Sequence, residues 1–190
     1  MGWHRLNLIH SVNPKSASNP KSLVDVEVTL KTEREKEILK ADFRVSTPKM
    51  NVNKKLAKGT SQHGLWNWDV VEIFIASQDP FGKFSAYYEF QVSPLGQFFE
   101  LEIFEARRRM NKDFKSGFQI NTIIESEKPG VWDACIYIPL AVVGHKPGNT
   151  LVGNIFACLG PEEDTQYYSA FLPPQQKPDF HLPQYFKKLI

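Results

Sequence analysis

Apolar residues in this chain fall in short alternating runs, and almost no stretch carries a helical period. "WHRLNLIH", "LVDVEVTL", "ILKADFRVS", "DVVEIFIAS", "SAYYEFQVS", "QFFELEIFEA", "FQINTIIES", "VWDACIYIP", "LVGNIFACL" and "YYSAFL" all read as strands. Breaks rich in Pro, Gly, Asn and Ser separate them, such as "SVNPKSASNPKS", "SQDPFGKFS", "SPLGQ", "EKPG" and "HKPGN". Many short strands joined by close turns predict an all-β antiparallel β-sandwich, jelly-roll-like, of about ten strands with little helix. "PLAVVG" (139–144) is the one helix candidate of note, with Pro139 at a first helical position. "TEREKEILK" is also open to a helical reading, but its alternation into "ADFRV" favours a strand or hairpin.

A length of 190 residues suits one domain spanning 1–190. A hydrophobic content of 42% beside 23% charged residues supports a packed core and excludes disorder for most of the chain. Its net charge of +2 is too balanced to force a nucleic-acid or anionic-membrane partner, and a monomer is expected. Cys135 and Cys158 lie inside apolar runs and read as small buried hydrophobes rather than a disulfide. "MGWHRLNLIHSV" lacks the apolar core of a signal peptide, so a cytoplasmic, reduced setting is the default. An extracytoplasmic setting follows if a leader has been removed.

The polar stretch "MNVNKKLAKGTSQHG" (50–64) reads as a long exposed loop running into Trp66 and Trp68. Past them, alternation puts Val71, Ile73 and Ile75 on a core face and Val70, Glu72, Phe74 and Ala76 on the other. Extended backward, it sets both tryptophans beside Glu72. "YYEFQVSPLGQFFELEIF" reads as a hairpin turning at Pro94-Leu95-Gly96. Tyr88, Phe90, Val92, Phe99, Leu101 and Ile103 are assigned inward. Tyr87, Glu89, Gln91, Phe98, Glu100, Glu102 and Phe104 are assigned outward, with Asn121 and Asn154 joining them if their strands share the sheet. A solvated face would alternate Lys, Glu and Thr. Carboxylates and amides interleaved with Phe and Tyr instead suit a ligand rich in hydroxyls.

In order and spacing, "WNWDVVEIFIA", "YYEFQVSPLGQFFELEIF", "WDACIYIPLAVVG", "VGNIFACLG" and the closing Phe-His-x-Pro-x-x-Phe resemble the family 9 carbohydrate-binding modules and their DOMON-like relatives. The resemblance covers roughly residues 65 to 190. It implies a β-sandwich holding a mono- or oligosaccharide between two aromatic rings without catalysis. On this chain Trp66 and Phe180 match the two clamp rings, Glu72 matches the carboxylate that accepts sugar hydroxyls, and Gln91 stands where binding members have an arginine. Phe180 replaces a tryptophan, and Phe156 stands where a glutamine is expected. Glu89 and Asn154 complete the expected binding set. Calcium is a cofactor open to such a domain; no other is implied.

Two further chemistries stay open. Paired glutamates can hydrolyse glycosides when their carboxyls lie about 5 to 10 Å apart and one pKa is raised. A DOMON-like haem domain needs an axial Met or His on the inner face, whereas Met50 and Met110 read as loop residues. His4, His10, His63, His145 and His181 show no metal-ligand spacing, and His181 is expected to fix the terminal segment. The basic run "ARRRMNKDFK" reads as a solvated turn.

Overall fold

The computed structural model describes residues 2–11, 25–33, 37–171 and 178–190. Two antiparallel sheets pack face to face over these residues, and the chain is the all-β sandwich that its periodicity predicts. The first sheet runs β1 (Gly2–Arg5), β3 (Asp25–Glu33), β4 (Ile38–Ser46), β10 (Val131–Pro139), β9 (Gln119–Ile124). The second runs β2 (Asn7–Ser11), β12 (Gln166–Ser169), β11 (Thr150–Leu159), β5 (Val70–Gln78), β6 (Tyr87–Val92), β7 (Phe98–Glu105), β8 (Arg109–Asn111). The two-residue β13 (Lys187–Lys188) also pairs with β11.

Each run singled out above contains a strand. "WHRLNLIH" holds two, because Leu6 interrupts the ladder and hands the chain from one sheet to the other. The "PLAVVG" helix shrinks to a 3-10 turn, Leu140–Val143, with Pro139 ending β10 and preceding that turn rather than opening a helix. From "TEREKEILK" the described parts are strand and turn. Residues 34–36, the "SVNPKSASNPKS" break from residue 12 on, Leu23, Val24 and Leu172 lie outside the described residues.

Between the sheets lies one core, built from the inward members of each alternation: Val71, Ile73 and Ile75 on β5, Phe90 on β6, Trp132 and Ile136 on β10. A second apolar layer sits on the far side of the second sheet, where a two-layer fold would meet solvent. Phe74, Tyr87, Phe99, Leu101, Ile103, Val152 and Phe156 are buried there.

That second layer corrects the hairpin reading. Val92 pairs with Phe98, Gln91 with Phe99, Phe90 with Glu100 and Glu89 with Leu101. Phe99, Leu101 and Ile103 therefore share the outward face with Tyr87, Glu89 and Gln91, while Glu100 and Glu102 point inward. The cause is the turn. Ser93 and Gln97 close it, with Gly96 N–H donating to the Ser93 carbonyl (3.0 Å) and Gly96 at φ 76°. An odd loop with a left-handed glycine shifts pairing parity by one relative to an even one. Displaced from the outward face, Glu100 accepts from the Ser116 N–H (2.9 Å) and hydroxyl (2.5 Å), and Glu102 accepts from Asn111 (3.2 Å).

Asn121 belongs to β9 of the other sheet and does not join this face. Neither cysteine is in a disulfide. Cys158 is buried as expected, but Cys135 is only half-buried and faces outward beside Asp42 and Tyr137. There burial, then Asp42, push its thiol up to about 11.

Candidate functional site

Glu72, Glu89 and Gln91 lie on adjacent strands of the second sheet's outward face, with Glu72 directly opposite Gln91. All are buried although they point away from the core, Glu72 at 1% exposure and Gln91 at 0%. Cover comes from two segments. The loop from residue 50 to 69 is tied down by Gln97, whose amide donates to the carbonyls of Asn53 (3.0 Å) and Leu56 (2.9 Å). It is tied again by Asp69, whose carboxylate accepts from the N–H groups of Asn51 (3.1 Å) and Gly160 (2.7 Å). The terminal segment from Pro178 supplies the other wall.

These walls enclose a cleft of about 750 Å³. Phe74, Phe99 and Leu101 form its apolar floor around the three polar side chains, and Trp66, His63, Phe180 and His181 stand at its sides. Trp66 is 40% exposed. It sits on a 3-10 turn, Leu65–Asn67, so strand alternation does not place it; β5 begins only at Val70. Its ring meets His63 edge-on at 5.0 Å, and His63 meets Phe99 at 5.3 Å, a relay of T-shaped contacts that holds the indole. Trp68 turns away and packs on Leu65, Val70 and Cys158. Phe180 lies flat on Phe156, with ring centroids 4.0 Å apart and planes 9° apart. The phenylalanine in place of a glutamine at 156 thus supports the phenylalanine in place of a tryptophan at 180.

Of the expected binding residues, Trp66, Glu72, Glu89, Gln91 and Phe180 line this one cleft. Asn154 does not. Its strand is in the same sheet, but its carbonyl oxygen accepts from the N–H of Phe171 and its amide donates to the Phe171 carbonyl. The group is used up in fastening the end of β12.

The floor is electrostatically tense. Glu89 Oε1 accepts from the Gln91 amide, whereas Glu89 Oε2 and Gln91 Oε1 are buried without a hydrogen-bond partner. Burial pushes Glu89 up to about 7, with the Gln91 amide pulling it partly back. Burial, then the neighbouring Glu89, push Glu72 well above the usual carboxylate range; a Cys158 thiol 3.6 Å from Glu72 Oε1 offsets this only in part. An arginine at position 91 would neutralise such a pair. Glutamine cannot, so burial and mutual repulsion disfavour ionising both carboxyls at once.

Sequence reasoning put His181 in a fastening role, and it does meet Tyr87 Oη at 3.0 Å. Burial raises Tyr87 and lowers His181, so the phenol keeps its proton, the imidazole is neutral, and a single hydrogen bond joins Tyr87 Oη to Nδ1. Nε2 faces Glu89 Oε2 at 3.8 Å, too long for a hydrogen bond, and with His181 neutral this is no ion pair. Tyr87 was legible from its place in the alternation with Glu89; its partner, ninety-four positions later, was not. Met110 lies in β8 at the cleft rather than in a loop, whereas Met50 is in a loop, as expected, and packs against the inter-sheet core. Among the described residues, no group of three His, Cys, Asp or Glu side chains could hold a metal ion.

Solved structures of similar shape share this fold. A proposed carbohydrate-binding protein from Bacteroides uniformis superposes with a TM-score of 0.70 at 15% identity, over 97% of this chain and 83% of that one. A family 9 carbohydrate-binding module from Caldicellulosiruptor kristjanssonii superposes in its complex with cellotriose (TM-score 0.56, 13% identity, 89% of this chain and 72% of that one). Its complex with glucose gives a TM-score of 0.53 at 14% identity, over 87% and 73% of the chains. The fold is that of carbohydrate-binding modules. In sequence, the chain is similar to a mouse protein, UPF0462 protein C4orf33 homolog, at 32% identity over 131 residues, 65% of this chain and 61% of that protein. The human UPF0462 protein C4orf33 is 28% identical over 129 residues, 65% of this chain and 59% of its own. The chain thus spans about three-fifths of the length of these relatives. No family model matches it.

Proposed function

We propose that the cleft binds a mono- or oligosaccharide and leaves it chemically unchanged. One observation carries this reading: Glu89 Oε2 and Gln91 Oε1 are buried acceptors without donors, at the floor of a cleft walled by aromatic rings. Sugar hydroxyls are donors of the right kind, and pyranose C–H faces suit Trp66 and Phe180. The family 9 module of the same fold, in its glucose and cellotriose complexes, supports the ligand class. Covering a hexose buries roughly 100 to 150 Å² of apolar area, about 3 kcal/mol at ~25 cal/mol/Å². Charge-assisted hydrogen bonds at the floor add about 1.5 to 3 kcal/mol. Against the cost of association, this leaves dissociation constants on the order of micromolar to millimolar.

Trp66→Ala is expected to abolish binding while costing less than about 1 kcal/mol of stability, since the residue is 40% exposed and sits on a turn outside the core. Titration calorimetry beside thermal denaturation reads both. Unfolding of the variant, or full retention of binding, would make Trp66 a structural plug instead.

The same two carboxyls favour a second reading, glycoside hydrolysis. Glu89 held near neutrality could serve as general acid or base, with Glu72 as its partner on the next strand. Turnover of chromogenic glycosides, lost in Glu89→Gln, is the outcome that would favour it over simple binding.

A further inference from the structure

The most basic stretch of the chain is the solvated turn expected, and it lies beside the cleft. The β7–β8 connection brings Arg107 and Arg108 to the rim of the cleft, and Lys112, just past β8, joins them. Two carboxylates meet these three cations: Asp179, which lines the cleft and pairs with Arg107, and Glu105, outside it. Arg108 meets Glu105 at 3.0 Å, an exposed pair of 79% and 55% side-chain accessibility that water largely screens. Among the described residues Lys112 has no ion-pair partner, and its charge reaches into the cleft far enough to lower the His63 pKa, secondary to burial. Arg107 also occupies a left-handed backbone position, φ 63°, which glycine would fill without strain.

On the reading that the cleft binds a saccharide, we propose that its ligand carries an anionic substituent: a carboxylate, sulfate or phosphate. The neutral part of the ring lies over the floor and meets Glu72, Glu89 and Gln91 through hydroxyls. The anionic group projects to the rim between Arg108 and Lys112. Division by depth keeps the anion away from two carboxyls that are reluctant to ionise, and lets it meet charges that need no desolvation. Partial charge separation of this sort also selects: a neutral sugar has nothing to offer the rim.

The test is a glycan array that pairs neutral saccharides with their uronate, sulfated and phosphorylated counterparts, probed with the intact chain and with Arg108→Gln/Lys112→Gln. Inorganic phosphate serves as a sugar-free competitor. Binding is expected to favour the anionic member of a pair by about tenfold at low salt, the preference shrinking toward 0.5 M salt as the charges are screened. In the double variant the preference disappears and neutral binding stays. The three anionic arms separate the possible substituents. Equal binding of neutral and anionic members overturns the inference and leaves the saccharide reading intact. Competition by phosphate alone as strong as by the charged sugar shows an anion site unconnected with the sugar, and overturns it too. Absence of binding to every glycan removes both readings at once.

Discussion

Glu89 stands under opposed demands, and pH separates them. Its carboxyl is pushed from the ordinary range up to about 7 by burial, so folding prefers its protonated form. That stability is fully present below about pH 4.5 and is lost as pH rises through about 7. Glu89→Gln keeps an acceptor for Gln91 but removes the ionisation. The variant should match the parent near pH 4.5 and exceed it in melting temperature at pH 9, where thermal denaturation decides. Binding runs the other way. Hydroxyl donors from a sugar favour the carboxylate, so affinity should rise with pH through about 7 and level off above, a trend that Glu89→Gln flattens. Parallel pH trends for stability and affinity would mean that the ligand does not meet Glu89.

Which residues share a face was legible wherever an element could be judged alone. On β5 the alternation separates Ile73 from Glu72 and Phe74 correctly, because one strand needs no partner to define its two sides. β7 failed because parity passes through a turn. Val92 and Phe98 flank an odd loop whose conformation depends on a left-handed Gly96, and no periodicity within either strand reveals it. At that position an added Cβ would lie 3.0 Å from Lys58 Cγ, on a backbone that disfavours any side chain. Gly96→Ala should therefore cost about 1 to 2 kcal/mol, seen as a lower urea midpoint with unchanged slope. An unchanged midpoint would show that the turn tolerates another conformation. The surroundings of Asn121 and Asn154, and the partner of His181, were illegible for a different reason. Their positions depend on sheet order and on long-range bonds, to Phe171 for Asn154 and to Tyr87 for His181, that adjacent sequence does not encode.

At the scale of the molecule, the cleft and the core are joined through one terminal segment. Phe180 and His181 form a wall on the outward side of the second sheet, and nine positions after Phe180 the same strip sends Leu189 into the core between the sheets. There Leu189 is 2% exposed, and its N–H donates to the Leu151 carbonyl (3.0 Å). Gly153 on β11 makes this possible: a Cβ there would stand 1.9 Å from the Phe74 carbonyl oxygen and 3.0 Å from a Leu189 methyl. Core packing thus anchors a cleft wall that it does not touch. Leu189→Ala should lower global stability by about 2 to 5 kcal/mol, as other buried leucine truncations do. It should also weaken saccharide binding at temperatures where the variant is fully folded, on the order of tenfold if about 1.4 kcal/mol of the lost anchoring falls on the segment itself. Calorimetric titration at low temperature, checked against near-ultraviolet circular dichroism for native packing, measures that second effect. A lowered melting point with unaltered affinity would mean that the Phe156–Phe180 stack holds the wall by itself, and that core and cleft share a chain segment without sharing an equilibrium.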